Sequence, residues 1–490
     1  MLTTPRWMKE LRMQKNLAVL LLRMEGSPDM PTLDYATQLF TAAGRGTGNL
    51  LDYYDEMSHG RLDLSGSRVY DWINYGHTKQ DILDEWAKAK REKKQELLNA
   101  KVEEATAEQQ SGEYANAVSR GKIVEWARDA AAQNGITIAT DDVIICVFNQ
   151  SADYFGSPGR AVLNWNAADL GCFSVDLTGV AHEVGHALGL NHSRMDGSAA
   201  EYGDKWDIMS AYNVRHFDQS GGPVPPGSTY FTYGPGLNAV NMELAGWLDQ
   251  SRVFNISSGS KTYHTQLHLR PLHRRDLPGW LAAKLMIGSR PIYLEFRMDA
   301  GWDMAFAAPC ILLHQESIHP QDGQPCSEVL VAQPNALRGA RADLRAGETF
   351  EIGNVLDIFG HYATITVREI NRETQEAWVD IYVRAPQVYE GPSGIPFGGV
   401  IEGGGGLVFV PGRGFVPVPP HSPLIRVMAH LADVVTLQTV NRGERGPVID
   451  QLSLSSLISA RDTLSDMIAS RQAPKVPSVY QLSEETGSTG

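Results

Sequence analysis

The stretch HEVGHALGLNHS, His182 to Ser193, constrains this chain more than any other. Two histidines four residues apart leave the same face of a helix, so His182 and His186 aim at one point only if this segment is helical. Glu183 lies beside them, able to exchange a proton with water at that point without being a ligand. Asp176 or Thr178 caps the helix start, and Val180, Val184, Ala187 and Leu188 form the opposite, core-facing stripe. Gly189 is the next constraint. A helix running straight on would carry His192 away, whereas a glycine admits a left-handed turn that returns it as a third ligand. Three neutral imidazoles with one open position are the donor set of a catalytic zinc; a structural zinc is closed by four protein ligands. With 14 histidines in 490 residues, HExxH arises by chance in about 2% of such chains, and Gly189 with His192 brings that below about one in ten thousand. Histidines scattered on an ordinary helix do not account for the spacing.

The flanking chain is organised around this segment. Leu17 to Met24, containing LAVLLL, reads as a β-strand buried on both faces. The basic RWMKELRMQK before it imitates a signal peptide, yet Arg23 interrupts the apolar run and no small-residue cleavage site follows. Residues 78–115 turn to Ala, Glu, Lys and Gln, a charged helical insertion with a solvated face. Ile123, Ala127 and Ala131 keep helical spacing until Asn134-Gly135, and VIICVFN follows as a central strand. Together these make residues 1–250 a catalytic domain.

From 253 to 386 the runs YHTQLHLRPL, PIYLEFRM, CILLHQ, ATITVREI and AWVDIYVR are strand-like and separated by turn residues, which predicts an antiparallel β-sandwich-like domain. The expected fold class is α+β. GPSGIPFGGVIEGGGG reads as a linker, so 387–490 is expected to be a Gly/Pro-rich linker and partly helical tail, its helix being LSSLISARDTLSDMIAS. Cys310 and Cys326 are close enough in sequence to staple a loop, and none of the four cysteines has the CxxC spacing of a thiolate metal site.

A formal charge of -14 argues against nucleic acid as a partner, since a phosphate-binding surface needs clustered Lys and Arg. No apolar run approaches the roughly 18 residues required to span a bilayer. Asp and Asn are frequent between 196 and 218, which offers the oxygen donors of a structural calcium site.

HExxHxxGxxH resembles the zinc signature of the metzincin metallopeptidases, and HEVGHALGLNHS is locally most similar to a matrixin. The family implies a methionine on a tight turn beneath the zinc. Met209 in DIMSAY fits, and its distance from the third histidine in EYGDKWDIMS is more similar to gametolysin-type and immune-inhibitor-A-like peptidases. LLDYYDEMSHGRLDLSG and YLEFR also resemble those groups. The resemblance spans residues 15 to 385, thinly outside 175 to 215.

It implies a zincin-like catalytic domain, a zinc ion on His182, His186 and His192, Glu183 as general base and then acid, and a protein or glycoprotein substrate held along an edge strand between Ala161 and Cys172. Ser210 to Phe217 would line the pocket after the cut, and Asp207 would hold the turn. Some metzincins carry a tyrosine two residues after the methionine, as a metal ligand and transition-state donor. Here Ala211 stands there and Tyr212 is one residue later, so Tyr212 is a candidate for that role or for the pocket wall. Family members are mostly secreted, which implies export.

The expected activity is that of a zinc endopeptidase. Two rivals are a binding or adhesion protein with a vestigial zinc domain, and a zinc amidase acting on a non-peptide amide. The first would need a defective site, yet His182, Glu183, His186 and His192 are all present.

Overall fold

The computed structural model describes residues 13–384 apart from 154, 158, 165–174, 199, 219–222, 225–231, 258–261, 288–289, 320–322, 332–340 and 354–361, and beyond them 400–401, 405–410, 414–418, 438–441 and 444–447. Two compact units divide the chain, residues 1–386 and 387–490.

A five-stranded sheet organises the first unit, in the order β4 (Arg68–Asn74), β2 (Leu17–Arg23), β5 (Val143–Phe148), β7 (Arg160–Asn164), β6 (Phe155–Ser157). Its strands are parallel except β6, which runs antiparallel to β7 at the edge. LAVLLL is thus an interior strand. Its side chains alternate, Leu17, Val19 and Leu21 joining one core and Leu20 and Leu22 the other. A strand covered on both faces has no need of polar positions, which is why the run is uninterrupted.

On one face lie α1 (Leu33–Phe40), α2 (Leu50–Met57) and the motif helix α5 (Leu177–Ala187). On the other lies a hairpin of α3 (Lys79–Asn99) and α4 (Glu104–Gln133). The charged insertion expected at 78–115 therefore has no boundary at 115. Helix α4 runs on through RGKIVEWARDAAAQ, with Ala107, Ser111, Ala115 and Ser119 buried before Ile123 and Ala127 reach the core. Small residues on that stripe let two helices approach where large apolar ones are missing.

A short parallel pair, β1 (Met13–Gln14) with β3 (Leu62–Asp63), and an antiparallel pair, β9 (His216–Phe217) with β10 (Pro223–Val224), flank this sheet. Helix α6 (Ala239–Leu244) leads into two further sheets. One has the order β11 (Val253–Ser257), β13 (Ala282–Ile287), β14 (Arg290–Arg297), β15 (Cys310–Ile318), β16 (Pro325–Val329), β8 (Arg194–Met195). The other has the order β12 (Tyr263–Leu269), β19 (Glu376–Arg384), β18 (Tyr362–Asn371), β17 (Thr349–Ile352). Leu285, Leu294, Phe296, Ile311 and Leu313 face Val367, Val379 and Ile381 in a shared core, so residues 253–384 form a sandwich.

This sandwich is not a pendant module. Strand β8 follows His192 and pairs in parallel with β16, while Val253, Leu272, Leu281, Tyr293 and Trp302 join the core of the helix-bearing half. Residues 1–250 and 253–384 are two architectures inside one unit.

Cys310 is a buried free thiol, so no Cys310–Cys326 staple forms. The register places Cys326 opposite Ser317 and Cys310 opposite Arg297, too far apart along β15 for the side chains to meet. Cys172 lies outside the described residues. In the second unit β22 (Gly414–Val418), β21 (Gly405–Val410), β20 (Val400–Ile401), β23 (Gln438–Asn441) and β24 (Glu444–Pro447) make one sheet in that order, and the glycine-rich stretch expected as linker contributes β20 and the start of β21 to it. The helix expected at LSSLISARDTLSDMIAS lies outside the described residues. Among the described residues no helix is long and apolar enough to cross a membrane.

A buried ionic network joins the sandwich to the helix-bearing half. His314 on β15 stands between Asp204 and Glu295, its Nε2 2.9 Å from Asp204 Oδ2 and its Nδ1 3.5 Å from Glu295 Oε2, all three fully buried. Burial opposes a charge on His314, but Glu295 and Asp204 outweigh it and hold its pKa up at about 10. A folded value above the ordinary 6.5 gives a contribution complete below pH 6.5 and lost as pH rises toward 10. The urea midpoint of the protein is therefore expected to fall between pH 7 and 10 more steeply than that of His314→Gln. Parallel pH profiles would refute the charged imidazolium.

Candidate metal centre

Helix α5 is capped by Asp176, whose Oδ1 accepts from Gly179 N at 2.8 Å; Thr178 instead donates to the Gly234 carbonyl. Every residue of the helix is buried. It ends at Ala187, and two residues on Gly189 sits at φ 100°, a left-handed conformation open to glycine. The chain reverses there, and the ligand atoms of His182, His186 and His192 come within 4.8 Å of one another.

The two helix histidines are held through Nδ1. His182 Nδ1 lies 2.9 Å from the Ile208 carbonyl and His186 Nδ1 2.7 Å from the Leu190 carbonyl. The Leu190 carbonyl only accepts, so His186 Nδ1 carries hydrogen and its Nε2 turns a lone pair to the cleft, whereas His182 Nδ1 also lies 3.2 Å from Ala211 N; both Nε2 atoms face the cleft. Those two Nε2 atoms are 3.1 Å apart. Three imidazole nitrogens converging this closely, with no fourth protein ligand needed to close the set, fit a metal ion. Burial depresses the pKa of all three histidines, reinforced by the neighbouring imidazoles at His182 and His186, the latter falling to about 3, and opposed by Glu201 at His192; all three are thereby kept in the neutral form a ligand requires.

Glu183 faces the same cleft. Burial pushes its pKa up to about 8, with Arg120 pulling it down and Asp153 opposing. Among the described residues its Oε2, which is buried, has no hydrogen-bond partner. A cleft of about 580 Å³ opens over these residues, walled by Phe155, Gly156 and Ser157 of β6 on one side and by Tyr202, Leu244, His319 and Pro325 on another. The edge strand is therefore β6. The segment 161–172 expected in that role begins as β7, one strand further in, and continues into residues outside the description.

Met209 is fully buried beneath the helix. Asp207 builds its turn: Oδ1 accepts from Met209 N at 2.8 Å, Ser193 Oγ at 3.0 Å and Asn241 Nδ2 at 3.0 Å, while Oδ2 accepts from Asn238 N at 2.6 Å. A Cβ added at Gly185 would lie 2.5 Å from Met209 Sδ and 3.4 Å from Tyr54 Oη. Gly185→Ala is thus expected to destabilise the fold by about 1–3 kcal/mol, the range for overpacking, whereas volume-conserving Met209→Leu costs less than about 1.5 kcal/mol. Urea melts of both variants check the order; a harmless Gly185→Ala would show that the methionine has room to move.

Two expectations need correcting. Tyr212 Oη donates to Asp176 Oδ1 at 3.1 Å, so this side chain braces the helix cap instead of facing the histidines. None of Ser210 to Phe217 lines the cleft. Tyr202 does line it, at φ 60°, its ring centroid 4.2 Å from that of His192.

A second cluster, His192, Glu201 and His319, also brings its ligand atoms within 4.8 Å. Asp196, Asp204, Asp207 and Asp218 enter neither cluster, so Glu201 is the carboxylate of the 196–218 loop at the site. It was missed because nothing in its spacing marks it, and His319, 118 residues further on, is brought to it only by the sandwich.

Compared with known families, characterised proteins and solved structures, the chain matches none.

Proposed function

We propose that this protein is a zinc-dependent endopeptidase of the metzincin type, which hydrolyses internal peptide bonds. One observation carries the reading: three neutral imidazoles converge in a cleft where a buried carboxylate oxygen, that of Glu183, has no partner among the described residues. Nitrogen donors suit zinc and not calcium, which takes oxygen ligands. His182, His186 and His192 would hold the ion; bound there, zinc supplies Lewis acidity toward water and a peptide carbonyl.

The remaining steps belong to the chain's own side chains. Glu183 accepts the proton from the attacking water and returns it to the leaving amine, as base and then acid. A buried carboxyl whose pKa lies near 8 in the metal-free protein is poised for both directions. Strand β6 pairs on one side with β7, and an extended substrate can add to its other edge, through main-chain hydrogen bonds that require no particular sequence. Side-chain preference would then come from Tyr202, Leu244, His319, Gln324 and Pro325.

The test is mass-spectrometric product analysis of a denatured protein mixture incubated with zinc-loaded protein. Internal cuts that vanish in o-phenanthroline and return with added zinc are the expected result. Cuts unaffected by the chelator would overturn the metal, and products released from non-peptide amides would replace the peptidase with an amidase.

A further inference from the structure

Within the first unit the sandwich reaches the metal centre at three places. His319, just beyond the end of β15, places Nε2 2.9 Å from Glu201 Oε1. The other carboxylate oxygen, Oε2, lies 3.1 Å from Nδ1 of His192. One residue before His192, Asn191 Nδ2 donates to the Pro325 carbonyl at 3.0 Å, at the start of β16. One strand after it, β8 pairs with β16, Arg194 opposite Glu328. The loop that carries Glu201 is anchored in turn by Asp204 on His314 of β15.

His192 differs from its two companions. His182 and His186 are on a helix and are oriented by backbone carbonyls, which cannot turn away. His192 follows the left-handed turn, and its orienting acceptor is a side chain with rotamers of its own. Such an acceptor holds a ring only if it is itself held. His319 takes its second oxygen, and the Arg194 guanidinium lies 3.7 Å from the same atom.

We infer that His319 is a positioning residue of the metal centre: through Glu201 it fixes the ring of His192, so the β-sandwich completes the site. This rests on reading His182, His186 and His192 as a metal centre. The competing use of these atoms, a second ion on His192, Glu201 and His319, would need a lone pair on Nδ1 of His192 while its Nε2 serves the first cluster. A neutral imidazole carries hydrogen on one nitrogen and cannot supply both. One ion per chain follows.

Zinc competition against a chromophoric chelator tests this on the full-length protein, with the melting temperature of each zinc-free variant read alongside. Wild type is expected to bind one zinc per chain. His319→Ala is expected to weaken zinc binding about 10-fold and Glu201→Ala up to about 100-fold, the range for groups that orient a metal-bound histidine. His319→Gln, whose amide can still donate to Glu201, should restore most of the loss. The double alanine variant should bind no more weakly than Glu201→Ala, because a relay is not additive.

Zinc affinity unchanged in His319→Ala would overturn the inference. So would equal losses in His319→Ala and His319→Gln, since a hairpin acting only through packing would not distinguish a donor from a methyl group. Two ions in wild type and one in His319→Ala would replace positioning by a second site. A wild type that binds no zinc would defeat the metal-centre reading itself. If His319→Ala fails to fold, the comparison of His319→Gln with Glu201→Ala decides.

Discussion

Zinc-loaded Glu183→Ala is expected to cleave internal peptide bonds about 10²–10⁴-fold more slowly than wild type, the usual contribution of a general base, while retaining its zinc and its fold. The two effects separate because Glu183 touches none of the interactions that orient the histidines. Those run from His182 to Ile208, from His186 to Leu190 and from His192 to Glu201. Stability should hold or rise. Burial disfavours the ionised form of Glu183 and its Oε2 has no partner among the described residues, so the folded protein bears a cost that alanine removes. The measurement is kcat/KM on a peptide drawn from the cleavage products, beside a zinc titration and a urea melt. Activity within tenfold of wild type would deny Glu183 the proton-transfer role. Loss of zinc along with activity would make it a support of the site.

Arg297→Ala is expected to destabilise the protein by about 3–5 kcal/mol, the cost of leaving buried carboxylates without their cation. Arg297 is fully buried on β14. It binds Asp303 through Nε at 2.7 Å and Nη2 at 2.6 Å, and Glu295 through Nη1 at 3.0 Å. Burial opposes ionisation of these carboxyls, but His314 and then Arg297 hold Glu295 down at about 2, and Arg297 with His273 holds Asp303 below the ordinary range. Lysine should not rescue, because one ammonium cannot reproduce a planar fork on two carboxylates. The loss would spread toward the site: Asp303 also accepts from Gly236 N, Glu295 accepts from Ala239 N, and Asn238 between them donates to Asp207 beneath Met209. Urea denaturation of the zinc-free protein measures it. A change below about 1 kcal/mol would show that His273 and His314 satisfy the two carboxylates unaided.

Local periodicity gave away the elements and long-range pairing gave away little. Leu17–Arg23 was legible as a strand because both faces need apolar cover, and 253–384 as strands because turn residues punctuate them. The join of the insertion to α4 was not legible, since a stripe of Ala and Ser has no apolar contrast. Tyr212 was legible as a residue near the site but not by its contact, because the direction of a side chain after a turn depends on the backbone at Ala211, which sits at φ 50°.

The sequence by itself determined the spacing of His182, Glu183 and His186 on one helix and the break at Gly189 that returns His192, because a helical pitch and a left-handed glycine are local properties. Tertiary structure decided the rest of the centre: β6 as the edge strand, Tyr202 at the wall, and Glu201 held between His192 and His319. Those groups meet only because β8 is added to the sandwich sheet beside β16, and no local pattern specifies which strand edge a distant segment will pair with.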